Sequence, residues 1–283
     1  KEEEKYYVSV KNFSSFLNYT KLKSKLDQIP ETEEAIIDFS LCDFVDHSVM
    51  ENMSNYSASF NRKGGHFEVI GLDDSKSGSE HPFALRKILP RQIIPKDGVL
   101  TKRQKLIQDV SEEMNWKYEA FSAQEMEELP TFGYFKTRKI DKVSNVLSNK
   151  DCSIFDVKFS EGEMIAKQVI KATMLHIRTL KPIPNFTLDR EGIFEYILDF
   201  AGYNDINIDA HPDFRKRFYL AGKNEEKIRA FFTDELILFF ESNKQYHIES
   251  NQNGLLIIGH ERLSSVKEIK ALAYFGMGLQ KQI

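Results

Sequence analysis

Cysteine is nearly absent from this chain. Of 283 residues, only Cys42 and Cys152 are cysteine. They stand far apart, with no Cys-x-x-Cys pair and no histidine at ligand spacing. This excludes a disulfide framework and a zinc motif, and reduced thiols in a cytoplasmic setting are the expectation. No apolar run reaches the roughly 20 residues that a membrane-spanning helix needs. The opening Lys1-Glu2-Glu3-Glu4-Lys5 has no apolar stretch of the kind a secretion signal carries. Charge of one sign is not in excess either. The net charge is −4, so no nucleic-acid partner is expected. Gly64-Gly65 lacks the Lys-Ser/Thr that would make it a phosphate loop. No Ser-His-Asp set, paired-carboxylate site or metal motif stands out, so no catalytic residue, metal or cofactor is assigned, and the chain is not expected to be an enzyme.

Phenylalanine, by contrast, is abundant at 22 residues, which argues for filled interiors rather than disorder. Hydrophobic content of 41% and charged content of 29% fit a soluble globular protein, and the length suggests about two domains.

One stretch organises the chain, from Ala35 to Met53. Ala35-Ile36-Ile37 reads as a buried strand. Asp38 to Asp46 reads as a polar loop broken by Phe44-Val45. Ser48 and Glu51 then form an S-x-x-E capping box, and Val49, Met53, Tyr56 and Phe60 fall on one face of a helix. This pattern resembles the signature of STAS domains, the family shared by anti-sigma-factor antagonists and the cytoplasmic tails of SulP anion transporters. Asp38-Phe39-Ser40 and Asp46-His47-Ser48 match its two parts at the right separation. The antagonists usually show Asp-Ser-Ser-Gly at the second part. Asp-His-Ser-Val resembles the transporter branch instead. Asn12-Phe13, Gly64 to Leu72, and Ser79 to Ala84 are similar to bacterial SulP tails. The resemblance covers about the first third of the chain.

The resemblance implies an α/β STAS-like domain, a mixed sheet with packed helices. It implies a soluble, non-catalytic piece of a longer membrane protein, held on the cytoplasmic side of the inner membrane. Its partners would be the transmembrane part of the same transporter and a second copy in a homodimer. The transported anion, sulfate or bicarbonate, would be handled by the parent protein. The alternative is a free-standing partner-switching regulator with Ser48 as phosphoacceptor.

The residues themselves allow two readings at each point. Ser48 at a helix start is a candidate phosphorylation or anion site, or simply a cap. Asp38 and Asp46 could hold Mg²⁺, or make local hydrogen bonds. His47 could titrate near neutral pH, or be silent. Ser75, Ser77 and Ser79 are phosphorylation candidates, or a turn-rich loop. Lys102, Arg103 and Lys105 could meet lipid headgroups, or be solvated.

Along the chain, Tyr6–Val10 reads as a strand and the segment to Ile29 as a helix ended by Pro30. Gly64-Gly65 closes the next helix, and Phe67–Ile70 is the next strand. Residues 82–88 read as helix, and Pro90–Pro95 as a link ending the first domain. The expected division is 1–95 STAS-like, 96–140 a helical linker segment, and 141–283 a second, α+β domain of unknown function. In the last, Phe155–Phe159 and Met164–Ile177 read as antiparallel strands turning at Glu161-Gly162. Thr187 or Asp189 would cap a helix holding Ile193, Ile197 and Leu198. Phe214–Leu220 reads as a strand. Asn224 would cap one helix carrying Ile228, Phe232, Leu236 and Phe239. Of the doublets Phe231-Phe232 and Phe239-Phe240, one member each faces the core. Asn251-Gln252-Asn253-Gly254 reads as a hairpin turn, and Ser264 opens the last helix.

Overall fold

The computed structural model describes residues 5–73, 75–77, 83–88, 100–162, 168–190 and 203–283. The chain forms two compact units, Lys1–Leu106 and Ile107–Ile283. Each is built on its own sheet with packed helices, an α+β arrangement.

The first unit runs β1 (Lys5–Ser14), α1 (Phe16–Leu26), β2 (Glu34–Val45), α2 (His47–Arg62), β3 (His66–Ile70), β4 (Ser75–Ser77) and β5 (Arg86–Ile88). β2 pairs in parallel with β1 and β3. Parallel neighbours need a crossover, and α1 and α2 supply the two. β5 pairs antiparallel with the far end of β2, and β4 with β5, so the sheet is mixed. Leu26 of α1 and Val49, Met53 and Phe60 of α2 pack in one core with Ala35, Ile37 and Phe39 of β2. These β2 residues alternate along the strand, so both helices cover the same face. Each of these side chains larger than alanine contributes roughly 1.5–3 kcal/mol of burial. Gly64 (φ +92°) ends α2 in the left-handed conformation. A side chain on Gly65 would strike the Glu31 carbonyl and the Phe60 ring.

Two local expectations change here. Asp38 to Val45 is strand rather than loop, because Asp38 and Ser40 satisfy each other's polar groups within β2. Residues 86–88, expected in a helix, form β5.

α3 (Lys102–Glu113) spans the boundary, and its Ile107 and Val110 belong to the second core. The second unit continues with β6 (Lys117–Phe121), α4 (Ala123–Glu128), two short 3₁₀ turns (Leu129–Thr131 and Gly133–Phe135), β7 (Arg138–Asn149), β8 (Cys152–Glu161), β9 (Gln168–Arg178) and β10 (Phe186–Arg190). It ends with β11 (Asn204–Asp205), α5 (Pro212–Arg217), β12 (Phe218–Gly222), α6 (Glu225–Phe231), α7 (Asp234–Ser242), β13 (His247–Asn251), β14 (Gly254–Ile258) and α8 (Val266–Leu279). Among the described residues, nine strands form one sheet in the order β11-β12-β10-β13-β14-β9-β8-β7-β6. Every pairing in it is antiparallel. One face carries Ile154, Leu175, Ile177, Leu255 and Ile257 against the helices. The other carries Phe155, Val157, Met174 and Leu256 against Leu129, Phe132 and Phe135.

The segment 96–140, expected as a helical linker, supplies strand β6 and the cover of this second face. Residues 214–217 are helical because Pro212 starts a turn, and the strand begins only at Phe218. Thr187 and Asp189 lie in strand β10 rather than at a helix cap. The single helix expected after Asn224 is two. Asn224 caps α6, and the Thr233 hydroxyl accepts the Leu236 N–H to start α7. Phe232 and Phe240 are buried. Phe231 packs on Phe186 and Phe239 on Phe275, so the second members also serve the interior. The cap of α8 is Ser265, one residue after the expected Ser264, whose N–H goes to the Thr173 hydroxyl at 2.8 Å. The β13–β14 hairpin forms at Asn251–Gly254 as expected. The link at 90–95, Ser79 and the expected helix through Ile193, Ile197 and Leu198 lie outside the described residues.

Candidate functional site

The β2–α2 junction is where the sequence concentrated its candidate chemistry. Asp38 is 4% exposed on β2 and accepts hydrogen bonds from the Tyr7 hydroxyl, the Ser40 hydroxyl and, at 2.7 Å, the Ser40 N–H. Gly71 (φ +85°), just past β3, fits against this group. A Cβ there would lie 2.3 Å from the Ser40 nitrogen and 2.6 Å from Asp38 Oδ1. Asp38 and Ser40 therefore form a closed, buried polar knot.

Asp46 follows at the end of β2. Its Oδ1 accepts the Val49 N–H at 2.8 Å and its Oδ2 the Phe16 N–H at 2.5 Å. One carboxylate thus sits at the starts of both α1 and α2, where free N–H groups and the positive dipole ends favour negative charge. The Asn18 side chain completes the α1 start by accepting the Ser15 N–H at 2.8 Å.

Ser48 is not the cap of α2, because Asp46 holds that place. Ser48 sits one residue inside the helix, half-buried, and its carbonyl accepts the Asn52 side chain at 2.7 Å. Its hydroxyl makes no hydrogen bond among the described residues. Glu51, expected to reach back to the cap, is exposed. His47 donates from Nδ1 to the Phe83 carbonyl at 2.5 Å.

The four motif residues do not converge. Asp38 and Asp46 are separated by eight residues of extended chain, on the order of 25 Å along the strand. A shared Mg²⁺ site is thereby excluded, and both carboxylates are committed to N–H or O–H donors. Ser75 and Ser77 fall in β4. Arg103 is 5% exposed with Asp73 3.8 Å away, so Lys102, Arg103 and Lys105 do not make one solvent-facing basic strip. Cys42 and Cys152 are free and buried, and burial pushes the Cys152 thiol up to about 11.

Sequence reasoning missed a buried ionic cluster in the second unit. Glu125 and Glu128, one turn apart on α4, meet His176 and Arg178, two apart on one face of β9. The signal was present as Glu-x-x-Glu and His-x-Arg, but nothing in one dimension pairs the two segments.

No family model and no curated protein matches the chain. Among solved structures, the mycobacterial trehalose monomycolate transport factor A, TtfA, is similar over 63% of this chain and 93% of that chain. Sequence identity is 12% and the TM-score 0.45. Among the described residues, no helix is long and apolar enough to cross a membrane.

Proposed function

We propose that the first unit is a STAS-like regulatory and interaction module of a SulP-like inorganic anion transporter, with sulfate or bicarbonate carried by the parent protein. The observation that carries this reading is the β2–α2 junction. There, Asp38-x-Ser40 lies on a central strand, Asp46 heads the following helix, and Ser48 stands in its first turn with an uncommitted hydroxyl. Two parallel strand–helix–strand crossovers around that junction agree with an open α/β module. In this reading the chain docks on the transmembrane part of the same transporter from the cytoplasmic side, pairs with a second copy, and tunes transport without catalysing a reaction.

The test is anion uptake by the parent protein in vesicles, with this region present, deleted or carrying Ser48→Glu. Deletion and Ser48→Glu are each expected to change uptake of labelled sulfate or bicarbonate. Unchanged uptake in both, or a parent gene with no multi-span apolar region beside this chain, would remove the proposal. The uncommitted Ser48 hydroxyl also keeps a second reading open, a partner-switching regulator phosphorylated at Ser48. Phosphate mapped to Ser48 after incubation with candidate kinases supports that reading. An unmodified Ser48 retires it.

A further inference from the structure

The Glu125–Glu128–His176 cluster lies in the second unit and plays no part in the proposal above. One helix presents two carboxylates at i and i+3, hence on one face. The facing strand presents an imidazole and a guanidinium at i and i+2, also on one face. Glu125 is 1% and His176 3% exposed. His176 Nδ1 lies 3.0 Å from Glu125 Oε2 and 3.5 Å from Glu128 Oε2. One ligand atom from each of the three residues falls within 4.8 Å of the other two.

Those spacings match what a cation imposes. With metal–ligand bonds of about 2.0–2.2 Å, adjacent ligands sit about 2.8–3.1 Å apart in an octahedron and about 3.3–3.6 Å in a tetrahedron. The His176–Glu125 and His176–Glu128 separations fall within these two ranges, so small shifts bring the three donors around one ion. The surroundings fix them further. Arg178 Nη2 holds the other oxygen of Glu125, leaving Oε2 turned to His176. Arg178 Nε reaches Glu128 Oε2 at 2.7 Å, and its Nη1 reaches the Ser153 hydroxyl at 3.0 Å. Gln124 holds Glu128 Oε1 at 2.9 Å. The Phe132 ring stands edge-on to the imidazole at 5.4 Å. Gly254 leaves the ring its room, since a Cβ there would come 3.2 Å from His176 Nε2. Arg178 and Gln124 thus hold both carboxylates beside the imidazole, the role that outer partners play around metal ligands.

The Glu128 side chain, 34% exposed, gives a hydrated ion a way in and a place for water to complete the coordination.

We propose that Glu125, Glu128 and His176 form a site for a first-row divalent cation of the Zn²⁺ type, with Arg178 as the residue that positions both carboxylates. A nitrogen donor with two carboxylate oxygens suits Zn²⁺, Co²⁺ or Mn²⁺ better than Ca²⁺. On binding, the imidazole carries its proton on Nε2 instead of Nδ1, and the metal takes the freed Nδ1 lone pair between imidazole and carboxylates.

The experiment is equilibrium dialysis of the whole chain against Co²⁺ and Zn²⁺, with visible absorption of the cobalt form. The expected result is one tight equivalent per chain with ligand-field bands. Affinity should fall roughly tenfold or more in Glu128→Gln. Because Glu128 is partly exposed, that variant keeps its fold, checked by an unchanged far-UV spectrum. His176→Gln should abolish the bands. No retained cobalt, or equal retention by wild type and Glu128→Gln, overturns the site and leaves a self-contained ionic network.

Discussion

Replacing Asp46 with alanine removes a single carboxylate from the starts of two helices. The bond to the Val49 N–H is an ordinary cap, worth about 1 kcal/mol with a range of 0.5–2. The bond to the Phe16 N–H at the start of α1 is a second one of the same kind. Negative charge near two positive dipole ends adds about 0.3–1 kcal/mol each. Asp46 is half-buried, which keeps these contributions from being fully screened. The sum is about 2.6–4 kcal/mol for Asp46→Ala. Asp46→Asn keeps one acceptor oxygen and should lose about half as much. For a unit of roughly 100 residues, 1 kcal/mol moves Tm by about 4 °C or more, so the alanine variant should melt on the order of 10 °C lower. Urea unfolding followed by circular dichroism gives the free energy. Amide exchange at Phe16 and Val49 localises it, since both N–H groups should exchange faster together. Ser48→Ala is the control. A capping box centred on Ser48 would make it the costly change, whereas the observed geometry predicts an effect within about ±0.5 kcal/mol. A loss below about 0.5 kcal/mol in Asp46→Ala, with Phe16 exchange unaltered, would refute the double cap.

Three further outcomes follow from the packing. Gly71→Ala puts a side chain at φ +85° against the Ser40 backbone and Asp38; unfolding should be easier by at least about 1–3 kcal/mol, and an unchanged urea midpoint would contradict the close approach. Glu268 pairs with buried Arg262 at 2.9 and 3.0 Å and completes the α8 capping box; Glu268→Ala takes the carboxylate away from the buried guanidinium and should cost about 3–5 kcal/mol, read by chemical denaturation. Burial pushes the Glu125 carboxyl up, but the bond and charge of His176 and the Arg178 guanidinium outweigh it and hold the group below the usual range. A depressed folded value means its stabilisation is present above the unfolded value, about 4.3, and is lost as pH falls through the folded one. The acid unfolding limb followed by Trp116 fluorescence should therefore flatten in Glu125→Gln, and an identical limb would count against it.

Local periodicity carried much of this fold into view, and the failures share a cause. Val49, Met53 and Phe60 were legible as one helical face because their spacing is a property of the chain alone. The Asn253-Gly254 turn was legible for the same reason. Asp38 and Ser40 looked like loop because polar residues in strands are uncommon. What makes them tolerable is a mutual hydrogen bond and a hydroxyl from Tyr7, 31 residues away. Ser48 looked like the cap because S-x-x-E is a strong local signal. Asp46 prevails because it serves α1 as well, and that partner is invisible in one dimension. Thr233 followed by Asp234-Glu235 was a readable helix start inside an apparently continuous apolar stripe, and the stripe outweighed it.

Most of the acids with structural roles in this chain are taken up by backbone N–H groups. Asp46 is spent on two helix starts. Glu249 accepts the N–H of Gly133 and, at 2.7 Å, that of Tyr134, where a 3₁₀ turn begins. Burial raises its carboxyl above the usual range, and those two N–H groups only partly counter this. Glu268 closes a capping box. Each of these groups is accounted for by backbone donors that would otherwise be orphaned. Glu125 occupies the same third helical position on α4 that Glu268 occupies on α8, yet its carboxylate turns to the strand instead, where a histidine and an arginine meet it. A helix start whose acid is bonded to an imidazole and a guanidinium of the facing strand, and to no backbone donor of its own helix, is what separates this cluster from the carboxylates around it.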